Sequence, residues 1–169
     1  MKLKRSQNGF TLIELLVIIS IIGLLVASIM LYLAQTRAKS RDAKRVADVK
    51  QLSSGLDLYY SQCNSYPTGA GLVLGESGRT VLYTGSGSTQ GPCGVNNGGS
   101  VQNGGFGTNT TGTIIIRTIL PAPLPADGGC NSSNNTYTYN STNGTSYTLS
   151  FCLGEATAGY PAGVNTITR

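Results

Sequence analysis

The stretch FTLIELLVIISIIGLLVASIMLYL, residues 10–33, decides the architecture of this chain. Its 24 residues include one charged side chain, Glu14. As a helix it is long enough to cross the hydrocarbon core of a bilayer, which is about 30 Å thick. Gly23, Ser20 and Ser28 are small residues that suit close contact between helices as well as contact with lipid. The stretch therefore predicts a membrane-spanning helix that can also pack against other helices.

The nine residues before this stretch differ from an ordinary secretory signal. They contain Lys2, Lys4 and Arg5 and no acidic residue, and they end in Gly9. A secretory signal has a shorter apolar core and a small-residue cleavage site after that core. In this chain the apolar run is longer, and the small residue precedes it.

The net charge of +5 gives a misleading picture of the chain. Three basic residues lie within residues 1–9, and the remainder carries nine basic and seven acidic residues. Most of the excess lies in residues 37–50, just beyond the apolar stretch. That position is typical of contact with anionic lipid headgroups or of a water-facing helix. Because aromatic residues are not interleaved with the basic ones, we do not expect nucleic-acid binding.

The helix is predicted to continue beyond the apolar stretch, from about Phe10 to Tyr60. No proline occurs before Pro67, and the segment Asn64–Pro67 is predicted to end the helix. We expect Asp42 with Arg45, and Lys44 with Asp48, to lie on the wetter side at helical spacing. Apolar residues recur at steps of three and four and predict one buried stripe, formed by Ala34, Ala38, Val46, Val49, Leu52, Leu56, Tyr59 and Tyr60.

The remainder of the chain is rich in Gly, Ser, Thr and Asn and predicts a small β-structure. We expect strands at Thr80–Thr84, Thr113–Leu120, Thr136–Ser141 and Thr145–Leu153. Residues 85–112 offer almost nothing to bury and predict a long surface loop.

The last two predicted strands flank Asn143–Gly144, a strong hairpin signal. A three-residue loop with Gly144 left-handed would pair Tyr139 with Tyr147, and Tyr137 with Leu149. We favour it over a two-residue loop because it collects the large apolar side chains on one face.

Four cysteines, Cys63, Cys93, Cys130 and Cys152, all follow the apolar stretch. Their spacing does not fit a zinc site, and the chain has no histidine. Two disulfides formed outside the cytoplasm are expected, with buried free thiols as the alternative, and three pairings are possible. Without histidine, clustered acids or a nucleotide-binding glycine motif, we expect neither an enzyme nor a cofactor.

Residues 2–25, KLKRSQNGFTLIELLVIISIIGLL, resemble the prepilin signature of bacterial type IV pilins and type II secretion pseudopilins. A looser resemblance continues through Arg41–Arg45, Tyr59–Tyr60, Tyr66–Pro67 and Leu124–Gly128, whereas residues 69–120 match no family pattern. The resemblance implies an α+β fold of the type IV pilin kind, in which a long N-terminal helix packs on a small antiparallel β-sheet head.

The resemblance also implies processing. A membrane-embedded prepilin peptidase would cut between Gly9 and Phe10 and methylate the new amine of Phe10. Glu14 would then lie five residues into the mature chain and pair with the Phe10 amine of a neighbouring subunit, because an acid within an apolar segment is costly and usually functional. The alternatives are a protonated carboxylate at the interface or one that reaches to water.

The implied organisation has a leader at residues 1–9, a membrane or filament-core helix at 10–33, an amphipathic helix at 34–62 and a head at 63–169. Some pilins have a disulfide that closes their C-terminal region. The resemblance therefore favours a bond between Cys130 and Cys152, which leaves Cys63 to pair with Cys93.

Two features depart from the family pattern. Many relatives have a proline near the end of the apolar run, and this chain has none there. Major pseudopilins bind calcium through several acidic ligands, but the last 50 residues here contain only Asp127 and Glu155. We expect both to be plain surface carboxylates, and we predict no metal site.

The resemblance implies that the protein is a structural subunit of a pilus-like filament. The subunit would first lie in the cytoplasmic membrane with its head outside, and then in a pilus or periplasmic filament. The alternatives are a type II secretion or DNA-uptake pseudopilin, and a membrane-anchored binding domain that does not polymerise. Expected partners are the peptidase, other pilin subunits, an assembly platform with its ATPase and membrane lipid. Nucleic acid is expected only in a DNA-uptake role.

Overall fold

The computed structural model describes residues 9–76, 78–85, 93, 104–108 and 112–169. The basic residues Lys2, Lys4 and Arg5 lie outside the described residues. The chain divides into two compact units, Met1–Arg37 and Ala38–Arg169. The helix α1, Leu12–Cys63, begins in the first unit and continues into the second.

The helix α1 ends close to where the sequence predicts. Asn64 follows it with a φ of 51°, and its N–H donates to the carbonyl of Tyr60 at 2.7 Å. Asparagine tolerates this left-handed conformation, which commonly terminates a helix. Pro67 follows three residues later and lacks the N–H that a further turn would need.

The second unit contains seven strands in two antiparallel sheets. The strands are β1 Gly69–Leu74, β2 Val81–Thr84, β3 Gly104–Gly107, β4 Ile114–Ile116, β5 Tyr137–Ser141, β6 Thr148–Leu153 and β7 Gly163–Thr168. One sheet has the order β1-β5-β6-β7, and the other has the order β3-β2-β4. The α+β fold with a long helix packed on antiparallel β-structure is therefore confirmed.

The hydrophobic core lies between residues 38–63 of α1 and the two sheets. The predicted stripe is buried from Val46 to Tyr59. Ala34 and Tyr60 are exposed and Ala38 is half-buried, and the rings of Tyr60 and Tyr66 lie 4.7 Å apart. The core residues from the strands and their connections are Leu74, Leu82, Ile116, Ile119, Ala122, Tyr137, Tyr139, Tyr147, Leu149, Phe151 and Leu153. Gly55 brings α1 close to β4, since a Cβ there would lie 2.4 Å from Cδ1 of Ile116.

The predicted hairpin is right in its buried face and wrong in its register. Tyr139 pairs with Leu149, and Thr138 pairs with Ser150. Relative to the prediction, the partner is shifted by two residues, because the connection is longer than three residues. A shift of two keeps each side chain on its face. Gly144 is left-handed, with a φ of 72°.

Three strands, β1, β3 and β7, were not predicted. The strand β3 lies inside the tract predicted as a surface loop, so that prediction is wrong for residues 104–107. Its Phe106 packs edge-on against Tyr139, with ring centroids 4.9 Å apart. The predicted strand Thr113–Leu120 is limited to Ile114–Ile116.

Candidate functional site

The predicted processing junction lies at the start of the first unit. Gly9 and Phe10 precede α1, and the Phe10 side chain is 79% exposed. A Cβ at Gly9 would meet nothing within 4 Å. The peptide bond between these residues is therefore uncovered within the described part of this chain, as access by a protease requires.

Thr11 and Glu14 form reciprocal hydrogen bonds at the first turn of α1. The Thr11 N–H and hydroxyl donate to Oε2 of Glu14 at 2.9 and 2.8 Å, and the Glu14 N–H donates to Oγ1 of Thr11 at 3.3 Å. This arrangement is a capping box, in which a threonine and a glutamate three residues later satisfy N–H groups that the helix leaves unpaired. The T-x-x-E pattern in the sequence could have predicted it. Glu14 thus has a local role in addition to its predicted pairing.

Among the described side chains from Leu12 to Leu33, the helix presents an apolar surface on every side. Leu12 and Leu24 are 82% and 72% exposed, and other large apolar residues as far as Leu33 are exposed as well. The hydroxyls of Ser20 and Ser28 donate to the carbonyls of Leu16 and Leu24, at 2.6 and 3.0 Å. Both serines therefore satisfy their hydroxyl donors within the helix. The helix is long and apolar enough to cross a membrane, by length and composition.

In the second unit, Asp42 and Arg45 are fully buried, so their predicted position on the wetter side is wrong. Nη1 of Arg45 donates to Oδ1 of Asp42 at 2.6 Å, and Nη2 donates to the Pro123 carbonyl at 2.7 Å. Asp42 also accepts from the backbone N–H groups of Gly154 and Glu155 at 3.0 and 2.9 Å. The pair is buried because it satisfies backbone groups of two connections that cross over the helix.

Asp127 is not the plain surface carboxylate that the sequence predicts. Its two oxygens accept hydrogen bonds from Nε and Nη2 of Arg41 at 2.6 and 2.5 Å, and its side chain is 14% exposed. These hydrogen bonds hold the pKa of Asp127 below its ordinary value, with a further contribution from the charges of Arg41 and Arg45. Glu155 is exposed and lies 4.0 Å from Nζ of Lys39.

Of Lys44 and Asp48, which were predicted on the wetter side, Lys44 is exposed and Asp48 is half-buried, and no ion pair joins them in the described part of the chain. Asp48 instead accepts a hydrogen bond from the hydroxyl of Tyr137 at 2.9 Å. Sequence spacing alone could not find this contact, because Tyr137 lies 89 positions away.

Two disulfides join distant parts of the second unit. Cys130 is bonded to Cys152, and Cys63, at the end of α1, is bonded to Cys93. Cys130–Cys152 joins the connection that contains Asp127 to β6, which ends just before Gly154. Among the described residues, no three His, Cys, Asp or Glu side chains converge in a way that could hold a metal ion.

Comparison with known proteins gives matches over part of the chain. A family model described as the prokaryotic N-terminal methylation motif matches residues 4–30. Over 65 residues the chain is 40% identical to the type II secretion system core protein G of Aeromonas hydrophila, which covers 38% of this chain and 46% of the relative. Over 68 residues it is 37% identical to the core protein G of Vibrio cholerae, which covers 40% of this chain and 47% of the relative.

The core protein G of Escherichia coli gives the same values as the Vibrio protein, 37% identity over 68 residues. The chain thus spans about half the length of the relatives it matches. No solved structure gives a significant match.

Proposed function

We propose that this chain, a member of the type IV pilin and pseudopilin family by its N-terminal methylation motif, is a pseudopilin of a type II secretion system. In this role the protein is a non-enzymatic structural subunit. The similarity to type II secretion core proteins G supports the choice of system. Assembly into a filament is supported by the placement of Glu14, the only charged residue of the apolar stretch, in the first turn of a helix whose surface is exposed and apolar.

Processing is the first step of this function. We propose that a prepilin peptidase cuts after Gly9 and that the new amine of Phe10 is methylated. The cut removes the basic leader and creates a cationic group one turn before Glu14. Before assembly, the apolar helix anchors the subunit in the cytoplasmic membrane, with its head on the outer side.

Assembly is favoured because, once a helix has left the lipid, its exposed apolar surface and an unpaired carboxylate both cost free energy outside a filament. Helices that leave the lipid bury their apolar surface against one another, and a carboxylate within such a core requires a cationic partner. The Phe10 amine of a neighbouring subunit supplies that charge and sets the axial register. An assembly platform with its ATPase would supply the work of extracting subunits from the membrane.

The processing step is tested by sequencing the N-terminus of the protein purified from membranes. The expected chain begins at Phe10 and is heavier than the unmodified fragment by one CH2 unit, because a methyl group replaces one hydrogen of the amine. A Gly9→Leu variant should keep its leader, because a side chain at this position obstructs the approach of the peptidase backbone. A wild-type chain that begins at any other residue contradicts the proposal.

The type of filament is tested by deleting the gene and comparing secreted proteins with surface filaments. A pseudopilin deletion should retain exported proteins within the cell envelope and leave surface pili unchanged. Loss of surface pili with normal secretion would instead favour a pilus subunit, for which the Gly-rich tract and the disulfide-closed head are suited to surface display. If neither changes and the protein remains monomeric, it is a membrane-anchored binding domain.

A further inference from the structure

The seven acidic residues of the chain differ in whether they have a cationic partner. Four form ion pairs within the second unit, namely Asp42, Asp57, Asp127 and Glu155. Glu14 lies beside the amine that processing would create, and Glu76 is exposed to water. Asp48 is the remaining one: it is half-buried and forms no ion pair within the described residues.

Asp48 lies in a cleft between α1 and the connection that follows β4. The cleft has a volume of about 60 Å³ and is lined by Asp48, Gln51, Leu52, Ile116, Thr118, Ile119, Leu120 and Tyr137. Leu120 is 52% exposed, so one wall continues onto the surface. Such a volume is far below that of a pocket for a small-molecule ligand. It is enough for the end of one long side chain.

The chemistry of this cleft selects a cation. The Tyr137 hydroxyl donates one hydrogen bond to Oδ2 of Asp48, which leaves acceptor capacity on the carboxylate. The apolar walls formed by Leu52, Ile119 and Leu120 suit the methylene stem of a lysine or arginine. A half-buried carboxylate gains most from a partner that also excludes water from it.

The chain itself carries cations that lack partners. Arg37, Lys44, Lys50 and Arg117 are exposed, Arg79 is half-buried, and none of them forms an ion pair among the residues described. Lys44 lies one turn before Asp48 on the same helix, yet the two side chains are not within 4.0 Å of each other. A filament would bring the exposed cations of one subunit against another, so the unpaired charges are complementary between copies.

We propose that the Asp48 cleft receives a lysine or arginine side chain from a second copy of this chain in the filament. This inference rests on the proposed function, because it requires that the subunits polymerise. The pair would fix the contact between heads, whereas Glu14 would act in the helical core. Complementary charge across an interface contributes mainly to the specificity and the register of the contact.

The test compares the full chain with Asp48→Asn in cells that assemble filaments. Asparagine can still accept the Tyr137 hydrogen bond, so the fold should be kept and the melting temperature in detergent should be unchanged. The yield of subunit multimers captured by cross-linking in the cell envelope should fall by about tenfold or more, since truncating one partner of an interfacial charge pair has effects of this size. Glu76→Gln removes an exposed carboxylate and should assemble normally.

Charge reversal identifies the donor. Asp48→Lys should abolish filaments, and combining it with an aspartate substitution at one of the unpaired cations, Arg37, Lys44, Lys50, Arg79 or Arg117, should restore them. Restoration together with an unchanged melting temperature of Asp48→Asn supports an intermolecular pair.

Three outcomes would contradict the Asp48 proposal and leave the proposed pseudopilin function standing. They are normal assembly of Asp48→Asn, a loss of monomer stability that matches its loss of filaments, and failure of every charge reversal to restore assembly. If the wild type forms no filaments in a competent host, the proposed function and this inference both fail.

Discussion

Arg41 and Asp127 form a two-point ion pair across the second unit, with Nε donating to Oδ2 at 2.6 Å and Nη2 donating to Oδ1 at 2.5 Å. Arg45, one turn further along α1, is 3.6 Å from the same carboxylate through its Nη1 and is fully buried. Two arginines of the helix therefore hold the connection that contains Asp127. In the described residues, this connection is fixed by guanidinium groups rather than by a cluster of acidic ligands.

Breaking the buried pair should destabilise the second unit strongly. Asp42→Ala leaves the Arg45 guanidinium without its carboxylate and removes the acceptor of the Gly154 and Glu155 N–H groups. We expect a loss of about 3–5 kcal/mol in the free energy of unfolding, as for other buried pairs that lose one partner. Ser40→Ala, on the exposed side of the same turn, should change it by no more than about 0.5 kcal/mol.

Denaturant unfolding of the full chain in detergent, followed by tyrosine fluorescence, measures both variants. A loss for Asp42→Ala as small as that for Ser40→Ala would contradict the structural role assigned to the pair.

Stability should depend on pH through Asp127. Because the pKa of Asp127 is lower in the folded chain than in the unfolded chain, its ionised form contributes stability above the ordinary aspartate pKa of about 3.9. That contribution is lost as the pH falls through the folded pKa. Asp127→Asn should therefore melt at a lower temperature than the wild type at pH 7, and the difference should shrink below about pH 4.

Melting temperatures of the two proteins at pH 7, 5 and 3 test this dependence. The other carboxylates are common to both chains, so only the difference between them reports on Asp127. A difference that stays constant from pH 7 to pH 3 would show that the ion pair does not contribute.

Gly55 is required by the close approach of α1 to β4. In Gly55→Ala, the new Cβ would lie 2.4 and 2.7 Å from Cδ1 and Cγ1 of Ile116. Overpacking costs about 1–3 kcal/mol, and alanine regains about 1 kcal/mol of helix propensity. We expect a net loss of about 1 kcal/mol.

The effect of Gly55→Ala on the free energy of unfolding should change sign when the Ile116 side chain is shortened. In an Ile116→Ala background, Gly55→Ala should stabilise the chain by about 1 kcal/mol, because only the helix propensity remains. A double-mutant cycle of denaturant unfolding measures this coupling. Equal effects of Gly55→Ala in both backgrounds would mean that the two residues do not press on each other.

The helix and its exposed and buried faces could be predicted because each depends on local pattern. The apolar stretch and the stripe from Val46 to Tyr59 are each recognised from residues a few positions apart. The continuity of the helix is recognised from the absence of proline before Pro67. The hairpin face could be predicted for the same reason, since alternation places Tyr137 and Tyr139 on one side. Its register could not, because the length of the connection decides it and Asn143–Gly144 fits several lengths.

The buried charges could not be predicted, because their partners are distant in sequence. Asp42 and Arg45 have the spacing of an exposed helical pair, and partners far away in sequence, among them the carbonyl of Pro123 and the N–H of Gly154, make their burial favourable. The strands β3 and β7 escaped prediction for a related reason. Their glycine and asparagine content indicates loops, and pairing with a neighbouring strand overrides that local preference.

The capping box allows the capping role of Glu14 to be separated from its proposed role in assembly. Glu14→Gln keeps a side-chain acceptor for the Thr11 N–H but removes the charge, whereas Thr11→Val removes the cap hydroxyl and keeps the charge. Glu14→Ala removes both. If the charge pairs with the Phe10 amine of a neighbour, Glu14→Gln and Glu14→Ala should fail alike, and Thr11→Val should assemble.

The most direct measurement is therefore the yield of subunit multimers captured by cross-linking in the cell envelope from Glu14→Gln and Thr11→Val, expressed at equal levels, with N-terminal sequencing to verify that both are cut after Gly9. Filament pairing through charge predicts a loss of at least about tenfold for Glu14→Gln and near-normal yield for Thr11→Val. Normal filaments from Glu14→Gln, with loss confined to Thr11→Val, would show that Glu14 serves only to cap its own helix and would contradict the proposed assembly mechanism.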